Sequence, residues 1–135
     1  MLSELAFVDA TELAELVRRG EVTSRELVQA SIARIEELNP RLNAVVTPMY
    51  EQALAAAERV DRTAPFAGVP LLVKDLLAHC AGTRHTNGSR LLAENVASAD
   101  SELVARLRRA GLVPVGLTST SELGRAPITE GGLFG

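Results

Sequence analysis

Cysteine is almost missing from this 135-residue sequence: Cys80 stands alone. One thiol cannot close an internal disulfide, which favours a reducing compartment. Aromatics are scarce at 3%, with no tryptophan, and cations are in the minority, 14 Lys and Arg against 17 Asp and Glu. A groove that holds nucleic acid through basic charge and stacked rings is therefore not expected. No apolar run is long enough to span a bilayer. The opening Met1–Ala10 carries acids where a secretory signal needs a basic stretch followed by an apolar one. Asn87-Gly88-Ser89 has the form of a glycosylation acceptor, but no secretory signal accompanies it. The expectation is a cytoplasmic protein with no membrane and no direct nucleic-acid partner.

What is present suits an ordinary globular core, with 47% hydrophobic and 23% charged residues. Asp9 followed by Glu12 resembles a capping box, since a carboxylate can accept from the free amides of a first turn. Leu13, Leu16 and Val17 then share a face, and Gly20 supplies a stop. Thr23 with Glu26 repeats the signal more cleanly and opens a second helix. Its apolar stripe is Leu27, Val28, Ile32, Ile35 and Leu38. Asn39-Pro40 should end it, because the residue before a proline avoids the helical region. Leu42 to Thr47 reads as a strand. Pro48 suits a first helical turn, and the Ala-rich run through Val60 reads as a third helix.

After a loop around Ala64 to Ala67, Gly68 to Leu77 is apolar nearly throughout, which predicts a strand covered on both faces. Ala78 to Arg90 is loop-like. Asp100 can cap a helix over Ser101 to Ala110, with Leu103, Val104 and Leu107 inward and Gly111 closing it. Leu112 to Leu117 is another buried strand. Strand, loop, helix and strand in that order imply a right-handed crossover between parallel strands. The class is α/β: a helical lead-in with one short strand over residues 1–62, then a strand-loop-helix-strand segment over 63–135. Three candidate strands are few for a sheet of this kind, so the sequence is expected to be part of a larger domain.

Lys74 draws attention first. An ammonium ion among Leu71, Leu72, Val73, Leu76 and Leu77 would be costly to desolvate, and burial favours the neutral amine, which can act as a general base. The plain alternative is a strand-end lysine whose charge reaches water or pairs with a carboxylate. Asp75 should point to the opposite face, either organising the following loop or binding backbone amides or an arginine. His79, Cys80 and His85 form the one metal-like or thiol-like grouping. It lacks the paired spacing and the fourth ligand of a zinc site, so no metal is expected. Cys80 beside an apolar strand reads as a packed small residue rather than a nucleophile. Gly82 to Ser89 has neither a P-loop pattern nor a dinucleotide fingerprint, and no cofactor is expected. Gly116 to Gly124 follows the carboxyl end of a strand, where open α/β sheets bind ligands. Its hydroxyls serve equally well as pocket donors or as turn formers.

Four stretches together resemble the amidase-signature family: Thr23–Val46, Ala67–Asp75, Gly82–Asn95 and Asp100–Gly124. The most specific is A-G-V-P-L-L-V-K-D, which sets a lysine in an apolar strand after Gly-Val-Pro. The resemblance covers nearly the whole chain. It implies the N-terminal part of an amidase-signature fold, with helices and part of a mixed, mostly parallel sheet. It also implies hydrolysis of a small carboxamide or acyl-amide by a Ser–cis-Ser–Lys mechanism. In that mechanism a neutral lysine takes a proton, through one serine, from a second serine that attacks the carbonyl. Lys74 falls on the family's base, and Thr118 and Ser119 fall beside the lysine and substrate pocket. Where the family has Gly-Lys-Thr, this chain has Gly116-Leu117-Thr118, so the role of that second lysine is not carried over.

The family's Gly-Gly-Ser-Ser-Gly-Gly region, expected after Ile128–Gly135, does not occur in the sequence. Ser89, Ser119 and Ser121 are not assigned in its place, since none has a glycine-framed turn around it. The 135 residues alone are expected to be nearly inert, with the remainder of the domain or a second chain as partner to complete the site. Two alternatives accompany this reading. One is the amidase component of a tRNA-dependent amidotransferase. The other is a non-catalytic module that pairs through its sheet edge.

Overall fold

The structure, a computed structural model, describes residues 4–135. Local signals set the first two helices. In α1 (Ala10–Arg19) the Asp9 carboxylate accepts from Thr11 N and Glu12 N, both at 2.9 Å. Gly20 ends the helix with a left-handed φ of 73° and returns its N–H to Val17 O. The capping box of α2 (Ser24–Leu42) is complete: Glu26 N reaches Thr23 Oγ1 at 3.1 Å and Thr23 N reaches Glu26 Oε2 at 2.8 Å. A cap of this type is worth about 1 kcal/mol.

Several expected boundaries move. Helix α2 continues through Pro40 to Leu42 instead of stopping at Asn39-Pro40. A proline in the last turn forfeits little more than its own hydrogen bond, and Asn39 repairs the end. Its Oδ1 accepts from Ala44 N and Val45 N at 2.9 and 2.8 Å, and its Nδ2 donates to Val45 O. Leu42 is thus helical, and strand β1 occupies Val45–Pro48. Pro48 closes that strand rather than opening α3 (Tyr50–Ala57), which stops short of Val60 where Arg59 N turns back to Ala56 O.

Strand β2 covers Pro70–Lys74, α4 covers Glu102–Arg109 and β3 covers Val113–Thr118. The cap of α4 is Ser101, whose hydroxyl faces Val104 N at 3.4 Å. Asp100 is taken up elsewhere, accepting from Ala81 N at 2.7 Å and Arg108 Nε at 2.9 Å. Val104 is fully buried as expected, but Leu103 is 58% exposed on a flank that no described element covers.

The sheet order is β1-β3-β2, with β3 antiparallel to β1 and parallel to β2. The α/β class holds, with a mixed sheet of three strands among the described residues. In the β2–β3 register Leu71 faces Pro114 but Leu72 faces Gly116, leaving Val115 as a bulge. That extra residue reverses the alternation along β3. Val113 and Val115 pack with Val28, Ala53 and Ala57 beneath α2 and α3. Leu117 turns to the other side, where it packs with Met49, Val73, Cys80 and Val104 against α4. A third cluster joins Val17, Val22 and Leu27 to Ala67, fastening the two N-terminal helices to the approach to β2.

Candidate active site at the carboxyl ends of the parallel strands

Lys74, the one lysine in the sequence, is the last residue of β2. Its register partner on β3 is Thr118, so the two lie side by side where the parallel strands end. Thr118 Oγ1 lies 3.5 Å from Val73 O and its side chain is half-buried. Ser119 follows, also half-buried, with its N–H on Ala44 O at 2.8 Å. The three residues singled out in the sequence are therefore neighbours at one strand end. That edge of an open α/β sheet is where ligands bind.

The expected double-sided burial of this strand is not observed. From Leu72 to Asp75 the side chains alternate: Leu72 is 41% exposed, Val73 buried, Lys74 exposed and Asp75 fully buried. An apolar groove of about 400 Å³ lies between Ile35, Leu38 and Leu42 of α2 and Pro70 to Leu72 of β2. The ion pairs among the described residues join arginines or His85 to carboxylates, and none includes Lys74. An apolar run reports how little a strand contains for water, whereas its cover comes from other elements. Here that cover stops short of the amine.

Behind the strand end lies a buried polar cluster, where the sequence suggests only a small polar loop. Asp75 accepts from Thr86 N at 2.9 Å and from the Thr86 hydroxyl at 2.5 Å. His85, Thr86 and Ser89 are all buried. His85 Nε2 meets Asn87 Oδ1 at 3.0 Å, while its Nδ1 lies 3.3 Å from Asp75 Oδ1 without forming a hydrogen bond. Burial pushes the His85 imidazole below its ordinary pKa against the pull of Asp75, and the edge-on ring of His79, 4.3 Å away, adds to the lowering. Of the two expectations for Asp75, the geometry shows the amide binder, and the amide belongs to Thr86 in the following loop. The available signal was an acid on the buried face of the strand and, eleven residues later, a run of small polar residues.

The remaining candidates do not gather into chemistry. His79 is exposed, and no cluster of metal-binding side chains occurs among the described residues. Cys80 is fully buried in the α4-side core, and burial pushes its thiol above the ordinary range. Ser89 Oγ donates to Glu122 at 2.7 Å, and Ser121 Oγ accepts from Ala126 N at 3.2 Å.

Known proteins resemble the chain over most of its length. The amidase family model matches residues 26–135. The 6-aminohexanoate-cyclic-dimer hydrolase of Paenarthrobacter ureafaciens is 42% identical over 124 residues, covering 90% of this chain and 25% of that protein. A glutamyl-tRNA(Gln) amidotransferase component from Alkalilimnicola ehrlichii is 40% identical over 130 residues, covering 92% of this chain and 27% of that protein. Among solved structures, 6-aminohexanoate cyclic dimer hydrolase complexed with substrate superposes with a TM-score of 0.89 at 41% identity, covering 94% of this chain and 26% of that one. The chain thus spans about a quarter of the length of the relatives it matches.

Proposed function

The chain belongs to the amidase-signature family, and on that premise we propose that Lys74 is the general base of a site that hydrolyses an amide C–N bond. The observation that carries this is the placement of the chain's only lysine beside Thr118 at the carboxyl end of the parallel pair. In the proposed reaction a neutral Lys74 amine takes a proton from a serine hydroxyl. That serine takes one in turn from a second serine, whose oxygen attacks the amide carbonyl. As the C–N bond breaks, the proton returns from Lys74 through the same relay to the leaving nitrogen. Water then cleaves the acyl ester, releasing a carboxylic acid and freeing the serine.

Neither serine of that relay is assigned within residues 1–135. Ser89 and Ser121 are engaged in the hydrogen bonds described above, and no glycine-framed turn surrounds Ser119. The hydroxyls come from other polypeptide that packs over the open Lys74 face. Thr118 and Ser119 line the near wall of the substrate pocket. Similarity does not choose between the substrates of these relatives, because the segment is 42% identical to a cyclic-dimer hydrolase and 40% identical to part of an amidotransferase. The substrate class is therefore kept to small carboxamides and acyl-amides, with a single polypeptide or an assembly of several chains equally served by this half of the site.

The test is turnover of primary carboxamides and acyl anilides by the active protein that carries this segment, followed by released ammonia or aniline. Lys74→Ala should lower turnover by about 10²–10⁴-fold, the usual contribution of a positioned base. Equal turnover by the variant and the parent would remove Lys74 from the chemistry and leave a non-catalytic module.

A further inference from the structure

Asp75 comes directly after the proposed base and points to the other face of the strand. Its side chain is fully buried, yet its one ion-pair contact among the described residues is the imidazole of His85. Enclosing a carboxylate with neutral donors is costly, and an apolar residue would fill the space without that desolvation. What holds the carboxylate is Thr86, through its backbone N–H and its hydroxyl. Gly88 N donates to Thr86 Oγ1 at 3.0 Å, which occupies the hydroxyl as an acceptor and leaves its proton for Asp75.

The adjoining backbone is held under strain. Leu77 has a φ of 63° although its side chain is 73% exposed, so no packing gain explains the conformation. The left-handed region brings the Cβ of a branched residue against the following carbonyl oxygen and is unfavourable. Leu77 N donates to Asn87 Oδ1 at 3.3 Å, and Asn87 itself has a φ of 50°. On the opposite side Asp75 N donates to Thr118 O at 2.9 Å. Strained residues persist where surrounding bonds over-determine them, and they gather at functional sites. Here the bonds fall on Asp75, through its N–H and its carboxylate, and on Leu77 two residues further along.

We propose that Asp75 is a positioning residue which, anchored on Thr86, fixes the last peptide of β2 and so aims the Lys74 amine at the hydroxyl it deprotonates. Side chains alternate along a strand, so a turn of the strand end that moves Asp75 also moves Lys74 on the other face. A misplacement of about 1 Å can lower a rate by about 10²-fold. The inference rests on Lys74 being the base.

Steady-state kinetics of amide hydrolysis by the active protein test it, with Lys74→Ala measured alongside. Thr86→Val replaces the anchoring hydroxyl by a methyl group and should lower kcat by about 10²-fold with KM within about threefold. Thr86→Ser, which keeps the hydroxyl, should restore kcat. Parental kcat in Thr86→Val, a proportionate rise in KM, or failure of Thr86→Ser to recover would each overturn the positioning role. With Lys74→Ala inactive, the base assignment would survive that outcome; with Lys74→Ala fully active, both proposals fall. If Thr86→Val does not fold, Asp75→Asn decides. It keeps the shape but offers one acceptor oxygen in place of two, so one of the two Thr86 donors loses its partner. It should lower kcat by about tenfold with KM held, and parental kcat would overturn the inference.

Discussion

Gly68→Ala puts the link between the N-terminal helices and the Lys74 strand to a direct test. Gly68 lies two residues before β2 with a φ of 76°, and its N–H donates to Gly111 O at 2.9 Å, tying the approaches of the two parallel strands together. An added Cβ would lie 2.5 Å from Ser24 Cβ and 2.6 Å from Ser24 Oγ, at the first residue of α2. Ser24 is buried and its hydroxyl donates to Gly68 O at 3.1 Å, so it has little freedom to give way. The left-handed backbone, the overpacking and the displaced hydrogen bond together amount to roughly 3–6 kcal/mol. That is a large share of a typical domain's 5–15 kcal/mol or so. Urea denaturation followed by circular dichroism measures it on Gly68→Ala and on the same change made with Ser24→Gly. In the second background the nearest remaining atom of residue 24 is Cα, at 3.2 Å. The loss should then shrink by at least about 1 kcal/mol. A Gly68→Ala protein within about 0.5 kcal/mol of the parent, or an equal loss in both backgrounds, would refute the reasoning.

Three further outcomes follow from the same contacts. Leu117→Ala, at a fully buried position in the α4-side core, should cost about 2–5 kcal/mol in the same denaturation assay. Cys80, enclosed and with its thiol pushed up by burial, should react with a disulfide reagent far more slowly in the folded protein than in urea; equal rates would show that the cluster around it is open. His85 is held below its ordinary pKa by burial, so the unfolded chain binds its proton more readily. Stability is then fully present above about pH 6.5 and declines as pH falls through that value. The urea midpoint should drop between about pH 7 and 5.5, and His85→Gln should flatten the drop; a midpoint rising toward acid would contradict the burial argument.

The helix starts were legible because a cap is a local event. Asp9 and Thr23 bind amides two or three residues away, and no distant partner is needed. The end of α2 was not legible, because it depends on Asn39 reaching across the turn to Val45. The strand before Lys74 was recognised by its apolar letters, but its cover was misjudged. Whether Leu72 and Lys74 meet protein or water is decided by the elements around β2, and both side chains are exposed. Leu103 failed for a related reason: helical spacing shows which residues share a face, not whether an element packs on it. Lys74, Thr118 and Ser119 were each picked from sequence, yet their common strand end came from the β2–β3 register. The Asp75–Thr86 contact spans eleven residues of loop, a separation that no periodicity reports.

The central claim is that the Lys74 amine moves a proton and does more than supply positive charge. Lys74→Arg separates the two, because a guanidinium keeps its charge and cannot serve as a base under these conditions. The deciding measurement is kcat/KM for amide hydrolysis by that variant in the active protein, across neutral to alkaline pH. A loss of about 10²–10⁴-fold at every pH is the expected result. Recovery to within about tenfold of the parent would show that a fixed cation suffices and would contradict the assignment of Lys74 as the base.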